Sequence, residues 1–195
     1  VDLVDKNFDK NFKSLRTTAL SESNTTFLNK YNIFEIHKEV LWPCSEMKLY
    51  NEVGNLEDEE ILNFRNKNNI FYMISNDKII EMMKRKIKKD KKINVLSNIQ
   101  VKRLFLDQGL QFVETKAKKL LKYNLVIFCT GSNSEITKKF LGNKYFKYSY
   151  DEVSVVTVID HDSINNNIAR QFFIEEGPLA LLPTSNVQTS VIWSI

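Results

Sequence analysis

The most constraining feature is the stretch Y-N-L-V-I-F-C-T-G-S-N-S, which runs from Tyr123 to Ser134. Leu125, Val126, Ile127 and Phe128 form an unbroken apolar run, two of them β-branched. A run this short and this apolar predicts a strand covered on both faces, as in a parallel sheet packed by helices. It stops at Cys129, Thr130, Gly131, Ser132, Asn133 and Ser134, all small or turn-forming. Gly131 can adopt positive φ, and its small neighbours let another backbone or a ligand come close. Open α/β sheets hold their ligands at such carboxyl ends of strands. The same residues read equally well as an ordinary strand followed by a loop.

With 195 residues the chain can form one large domain or two small ones. A net charge of +4 demands no anionic partner. No apolar run approaches the roughly 18 residues of a membrane span, and no signal-peptide pattern is present. Cys44 and Cys129 lie far apart with no Cys/His cluster, so the expectation is two reduced thiols in a cytoplasmic protein and no metal site. The chain opens on V-D-L-V-D and closes on V-I-W-S-I, both strand-like. A sheet cut at its edges leaves unpaired backbone groups, so a piece of a longer protein is expected.

Residues 1–5 read as a strand closing on Asp5. An acid at the end of a second parallel strand commonly holds a dinucleotide ribose, but taken alone Asp5 reads more readily as a solvated acid. Ser23 or Asn24 is expected to cap a helix carrying Phe27, Leu28 and Tyr31, with Ile33, Phe34 and Ile36 continuing its apolar face. Trp42, Pro43 and Cys44 break the pattern; Met47, Leu49 and Tyr50 suggest a short strand before a Gly54-Asn55 turn. Residues 56–69 look like an exposed connection. After Ile70–Ile74, Ser75 or Asn76 can cap a second helix with Ile79, Ile80, Met83 and Ile87 on one face. Its lysines crowd the C-terminal end, where cations are favoured; with no aromatic platform nearby, a solvated face explains them better than nucleic acid.

A strand at residues 93–96 is followed by two strands flanking Asp107-Gln108-Gly109, a hairpin signature, and by a third short strand at residues 118–123. Beyond Ser134, Ile136, Phe140 and Leu141 have helical spacing. Residues 153–159, 171–174, 177–183 and 191–193 read as strands. His37 and His161 both sit in charged surroundings and read as surface residues.

Four segments, in order, resemble one family: R-T-T-A-L-S from Arg16, F-Y-M-I-S-N from Phe71, C-T-G-S-N-S from Cys129, and G-P-L-A-L-L-P from Gly177 with V-I-W-S from Val191. Each is weak alone; their order and spacing carry the likeness. The chain resembles the ubiquinone-biosynthesis hydroxylases, FAD-dependent aromatic monooxygenases of the para-hydroxybenzoate hydroxylase fold. The resemblance implies a mixed α/β fold. A Rossmann-like FAD-binding domain with an inserted β-meander, residues 1–42 and 70–143, would join a mixed-sheet substrate domain, residues 43–69 and 144–195.

Such enzymes reduce FAD with NAD(P)H and use oxygen to hydroxylate the ring of a prenylated phenol. The flavin supplies the chemistry, and the protein supplies positioning and electrostatics. Carried over, Asp5 would hold the FAD ribose, and Arg16, Ala19, Leu20 and Ser21 would lie along the flavin. Ser75 and Asn76 would sit near the pyrophosphate, Val101 near the adenine, and Thr130 and Gly131 in the turn at the cofactor. Gly177, Pro178 and Leu182 would border the substrate cavity. Other ubiquinone-biosynthesis proteins are implied as partners and nucleic acid is not, with peripheral contact at the inner membrane. No side chain stands out as a general base.

Two departures qualify the likeness. The family turn reads G-A-D-G-x-N-S, and Thr130 replaces its aspartate. The Gly-rich turn and the later G-D flavin motif are absent, so the chain alone is expected to bind FAD poorly and to be inactive. A non-catalytic relative, kept as a scaffold, is the alternative.

Overall fold

Alternation of apolar and polar residues sets most of the strands, and glycine or asparagine turns separate them. The computed structural model describes residues 1–32, 38–53, 57–131, 134–142 and 148–195. In chain order the strands are β1 (Asp2–Asp5), β2 (Thr17–Ser21), β3 (Trp42–Cys44), β4 (Glu46–Val53), β5 (Glu57–Arg65), β6 (Phe71–Ser75), β7 (Asn94–Ser97), β8 (Val101–Asp107), β9 (Leu110–Thr115), β10 (Leu120–Tyr123), β11 (Ser154–Asp160), β12 (Ile168–Ile174), β13 (Gly177–Ser185) and β14 (Gln188–Ser194). The helices are α1 (Glu22–Lys30), α2 (Asn76–Lys89) and α3 (Glu135–Leu141). His37, the apolar residues Ile33, Phe34 and Ile36, and the Gly54-Asn55 turn lie outside the described residues, as do Ser132 and Asn133.

The chain divides into two units. The first comprises Val1–Lys10 and Asp90–Tyr150. Here β1 pairs in parallel with β7, Leu3 opposite Val95 and Asp5 opposite Ser97. The meander β8–β9–β10 follows, antiparallel throughout. Its first turn has Gln108 at φ 48° and Gly109 at φ 76°, the positive pair that a tight hairpin needs. Phe105 and Phe112, opposite one another, stack with centroids 5.2 Å apart. Phe8, Val113 and Thr115 are buried.

The second unit comprises Asn11–Lys89 and Asp151–Ile195. Its six-stranded sheet runs β11-β14-β13-β12-β4-β5, antiparallel except for the parallel pair β12–β4. A three-stranded sheet, β2-β6-β3, makes contact with β13 through β3 and β6. Cys44, Met73, Ile74, Ala169, Pro183 and Ser190 are fully buried in this unit. Burying a side chain the size of Met73 or Ile74 contributes about 1.5–3 kcal/mol.

Four sequence expectations need correction. Residues 125–128 form no ladder with the described strands, and they are not covered on both faces. Leu125 is 73% exposed and Ile127 75%, whereas Val126 and Phe128 are half-buried and Phe128 packs on Phe140 of α3, 5.1 Å between centroids. No described strand pairs with the segment. Residues 57–65, expected as a connection, are the edge strand β5, where charge is tolerated because one side of the ladder faces water. Trp42, Pro43 and Cys44 form β3, an edge strand in which proline costs no ladder bond. The cap of α1 is Ser21 rather than Ser23 or Asn24: at φ −64° and ψ 159°, its hydroxyl accepts from the Asn24 N–H at 3.2 Å.

Candidate functional site

In the second unit the start of β2 and the start of α2 are held together. Thr17 stands opposite Ser75. The Asn76 N–H donates to the Arg16 carbonyl at 3.0 Å, and the Thr18 hydroxyl donates to Asn76 Oδ1 at 2.6 Å. Two early N–H groups of α2 therefore already have protein partners, since Lys78 N–H donates to Asp77 Oδ1 at 2.9 Å. Arg16 itself is exposed, and its guanidinium makes no ion pair or hydrogen bond with the described residues. An exposed, unpaired guanidinium beside a helix start favours an anion. Along β2, Ala19 is exposed, Leu20 is buried and Ser21 is committed to capping α1.

The same end of β2 meets the large sheet. Thr17 donates its hydroxyl hydrogen to Ser190 Oγ at 3.2 Å, and Ser190 has no exposed surface. Leu182 is the register partner of Ser190. Pro178, Ala180 and Leu182 share one face by strand alternation. Gly177 has φ +113°, and a Cβ built there would lie 2.0 Å from the Ser194 carbonyl oxygen. Only glycine fits at that point.

A further polar cluster ties down this sheet's end. His161 Nδ1 lies 2.8 Å from the Asp162 carbonyl, an acceptor, so this nitrogen carries a hydrogen. His161 Nε2 lies 3.0 Å from Thr189 Oγ1. Asn166 Nδ2 donates to the carbonyls of Ser185 at 2.8 Å and Gln188 at 3.0 Å, and its own carbonyl accepts from Trp42 Nε1 at 2.5 Å. His161 is thus a half-buried structural tie, where sequence reading placed it on the surface.

In the first unit, Asp5 ends β1, exposed, with Oδ1 accepting from the Asn7 N–H at 2.5 Å. Val101 opens β8 and is half-buried opposite Thr115. Thr130 and Gly131 are both exposed. Gly131 has φ +76°, and among the described residues no atom lies within 4 Å of where its Cβ would stand. The Thr130 hydroxyl is spent within the protein, 2.6 Å from Thr137 Oγ1 of α3. Glu114 is held below the usual carboxylate range by its bonds to Lys102 and Arg103. Among the described residues no cluster of His, Cys, Asp or Glu has the make-up of a metal site.

Sequence reading singled out Arg16 but passed over Thr17, Thr18 and Ser190. Their hydroxyls make the contacts that place Arg16. The adjacent threonines were visible in R-T-T-A-L-S, whereas Ser190 carried no signal.

No family model matches the chain. It is 24% identical over 198 residues to "Ubiquinone biosynthesis monooxygenase COQ6, mitochondrial" of Drosophila melanogaster, a match covering 94% of this chain and 41% of that protein. To the protein of the same name in Danio rerio it is 24% identical over 201 residues, covering 93% and 39%. The chain spans about two fifths of the length of these curated relatives. Among solved structures it superposes on PqsL of Pseudomonas aeruginosa, described as "a probable FAD-dependent monooxygenase", with TM-score 0.78 at 12% identity over 100% of this chain and 53% of that one. It also superposes on 2,6-dihydroxypyridine-3-hydroxylase of Arthrobacter nicotinovorans, with TM-score 0.70 at 14% identity over 95% and 47%. The fold is that of the FAD-dependent monooxygenases, and the resemblance read from the four motifs extends along nearly the whole chain.

Proposed function

We propose that the protein carrying this chain is an FAD-dependent monooxygenase that hydroxylates the ring of a prenylated phenol in ubiquinone biosynthesis, with NAD(P)H and oxygen as co-substrates. The observation that supports it most is similarity to COQ6 monooxygenases over 94% of the chain, joined to the monooxygenase fold.

The residues present fit the cofactor. Arg16 offers a cation with no partner among the described residues, and Gly131 offers backbone at positive φ. Arg16, whose backbone carbonyl accepts from the Asn76 N–H, would hold a phosphate or the reduced, anionic flavin. Asp5 would accept from a ribose hydroxyl, with Val101 alongside the adenine end. When bound, FAD would supply the redox chemistry. Gly177, Pro178 and Leu182 would border the substrate, and the face that Pro178 and Leu182 share with Ala180 suits a polyprenyl tail.

Full-length protein should purify yellow, with stoichiometric flavin, and consume oxygen on addition of NAD(P)H and a prenylated phenol. Colourless protein that takes up no added FAD would sink the reading.

One observation favours a second reading, a non-catalytic relative acting as a scaffold. Thr130 stands where the family has an aspartate, and its hydroxyl is engaged by Thr137. Flavin-loaded protein inert toward both nicotinamides would decide for it.

A further inference from the structure

Gln171 sits in the middle of one face of the six-stranded sheet. By alternation along β12 it shares that face with Ala169 and Phe173. Across the ladders it stands opposite Ala180 of β13 and Leu49 of β4, and these in turn stand opposite Ile192 of β14 and Leu62 of β5. The amide is therefore ringed by apolar residues. The Gln171 side chain is half-buried, yet it has no hydrogen-bond partner among the described residues. Among those residues Trp193 Nε1 is the sole sealed side-chain polar atom without a partner, so the Gln171 amide still opens onto accessible space. A half-buried amide that the fold leaves without a partner points to one supplied from outside the protein. The face is also the one that β2 approaches: Ser190, opposite Leu182, accepts from the Thr17 hydroxyl at 3.2 Å.

We propose that the Gln171 amide binds the ring hydroxyl of the substrate, with the prenyl chain lying over Phe173, Leu49 and Leu62. The substrate's class rests on the proposed function; the structure adds the residue that recognises its polar end. A phenol hydroxyl both donates and accepts, and the amide offers Oε1 to accept and Nε2 to donate. Ala169, Phe173, Ala180 and Leu49, which border Gln171, carry no charge, and this suits a neutral hydroxyl better than a carboxylate or a phosphate. Phe173 is 40% exposed and Leu62 45%, so apolar surface continues from the amide toward the β5 edge of the sheet. One polar group set in an apolar face fixes the orientation of a ligand that is apolar at its other end.

The test is a pair of equilibrium titrations of the full-length, flavin-loaded protein, one with 2-geranylphenol and one with geranylbenzene, which lacks the hydroxyl. Both are followed by the change in flavin absorbance and by calorimetry. The parent protein should bind the phenol about tenfold to a hundredfold more tightly than the hydrocarbon. In Gln171→Leu that preference should vanish, through weaker binding of the phenol while binding of the hydrocarbon holds or tightens. Gln171→Met should behave in the same way, and neither variant should melt earlier than the parent, because no protein partner is lost. Gln111→Leu, on the meander, should keep the preference. Preference retained in Gln171→Leu, or lost equally in Gln111→Leu, would overturn this assignment and leave the enzyme reading standing. A clear drop in melting temperature in both Gln171 variants would do the same, since the amide would then be a structural tie. Parent protein that takes up no FAD, or that carries FAD and binds neither ligand, would overturn the proposed function and this assignment with it.

Discussion

The Tyr123 hydroxyl donates to Asp2 Oδ2 at 2.5 Å, fastening the last strand of the meander to the strand that opens the chain. That bond and a second from Asn94 hold the Asp2 carboxyl below its usual range. Burial and the same bond push the Tyr123 hydroxyl up to about 12. Tyrosine is neutral when protonated, so the folded state retains this proton where the unfolded chain has lost it. Stability from this pair should be fully present below pH 10 and fall between pH 10 and about 12. At the acid end, Asp2 contributes above its unfolded value and loses that contribution as pH falls through its lowered one. Tyr123→Phe should cost about 1 kcal/mol at neutral pH and remove the high-pH phenolate transition, read by ultraviolet difference titration against the parent protein.

Gly177→Ala should be among the most damaging single substitutions. The added methyl meets the Ser194 carbonyl at 2.0 Å, and the φ of +113° is one that alanine resists. Backbone movement at a β13–β14 contact is the only relief, and a loss of about 3 kcal/mol or more is expected in chemical denaturation.

Arg16→Ala should separate binding from folding. The side chain is exposed and unpaired, so the melting temperature of flavin-free protein should change little. Flavin affinity should fall about tenfold to a hundredfold, the worth of one charge-assisted contact, with partial recovery in Arg16→Lys. Fluorescence titration with FAD reads this directly.

The two thiols should differ sharply. Cys44 is fully buried, and burial raises its thiol to about 12, whereas Cys129 is exposed. A thiol reagent at pH 8 should modify one cysteine per native chain, mapped to Cys129 by mass spectrometry, and both after unfolding.

The β-hairpin of the meander was legible because its turn chemistry is local, and Gly109 takes the positive φ that glycine allows. Strand β13 was legible from its apolar run between Gly177 and Pro183. The segment 125–128 was misread because composition reports hydrophobicity and not how many neighbours arrive to cover it. Strand β5 was missed because Glu57, Asp58, Glu59 and Glu60 look like loop, and only the pairing with β4 makes them strand. Arg16 was found through motif likeness, while the hydroxyls that seat it depend on contacts between residues as distant as Thr17 and Ser190.

The amide of Asn166 faces two backbone carbonyls, those of Ser185 and Gln188, so the β13–β14 turn hangs on a nitrogen being where an oxygen of nearly equal size would otherwise fit. Deamidation would make that exchange and set oxygen against oxygen inside a closed space. Slow chemical ageing of the protein would then loosen this corner first, although the aspartate so formed has as many heavy atoms as the asparagine it replaces.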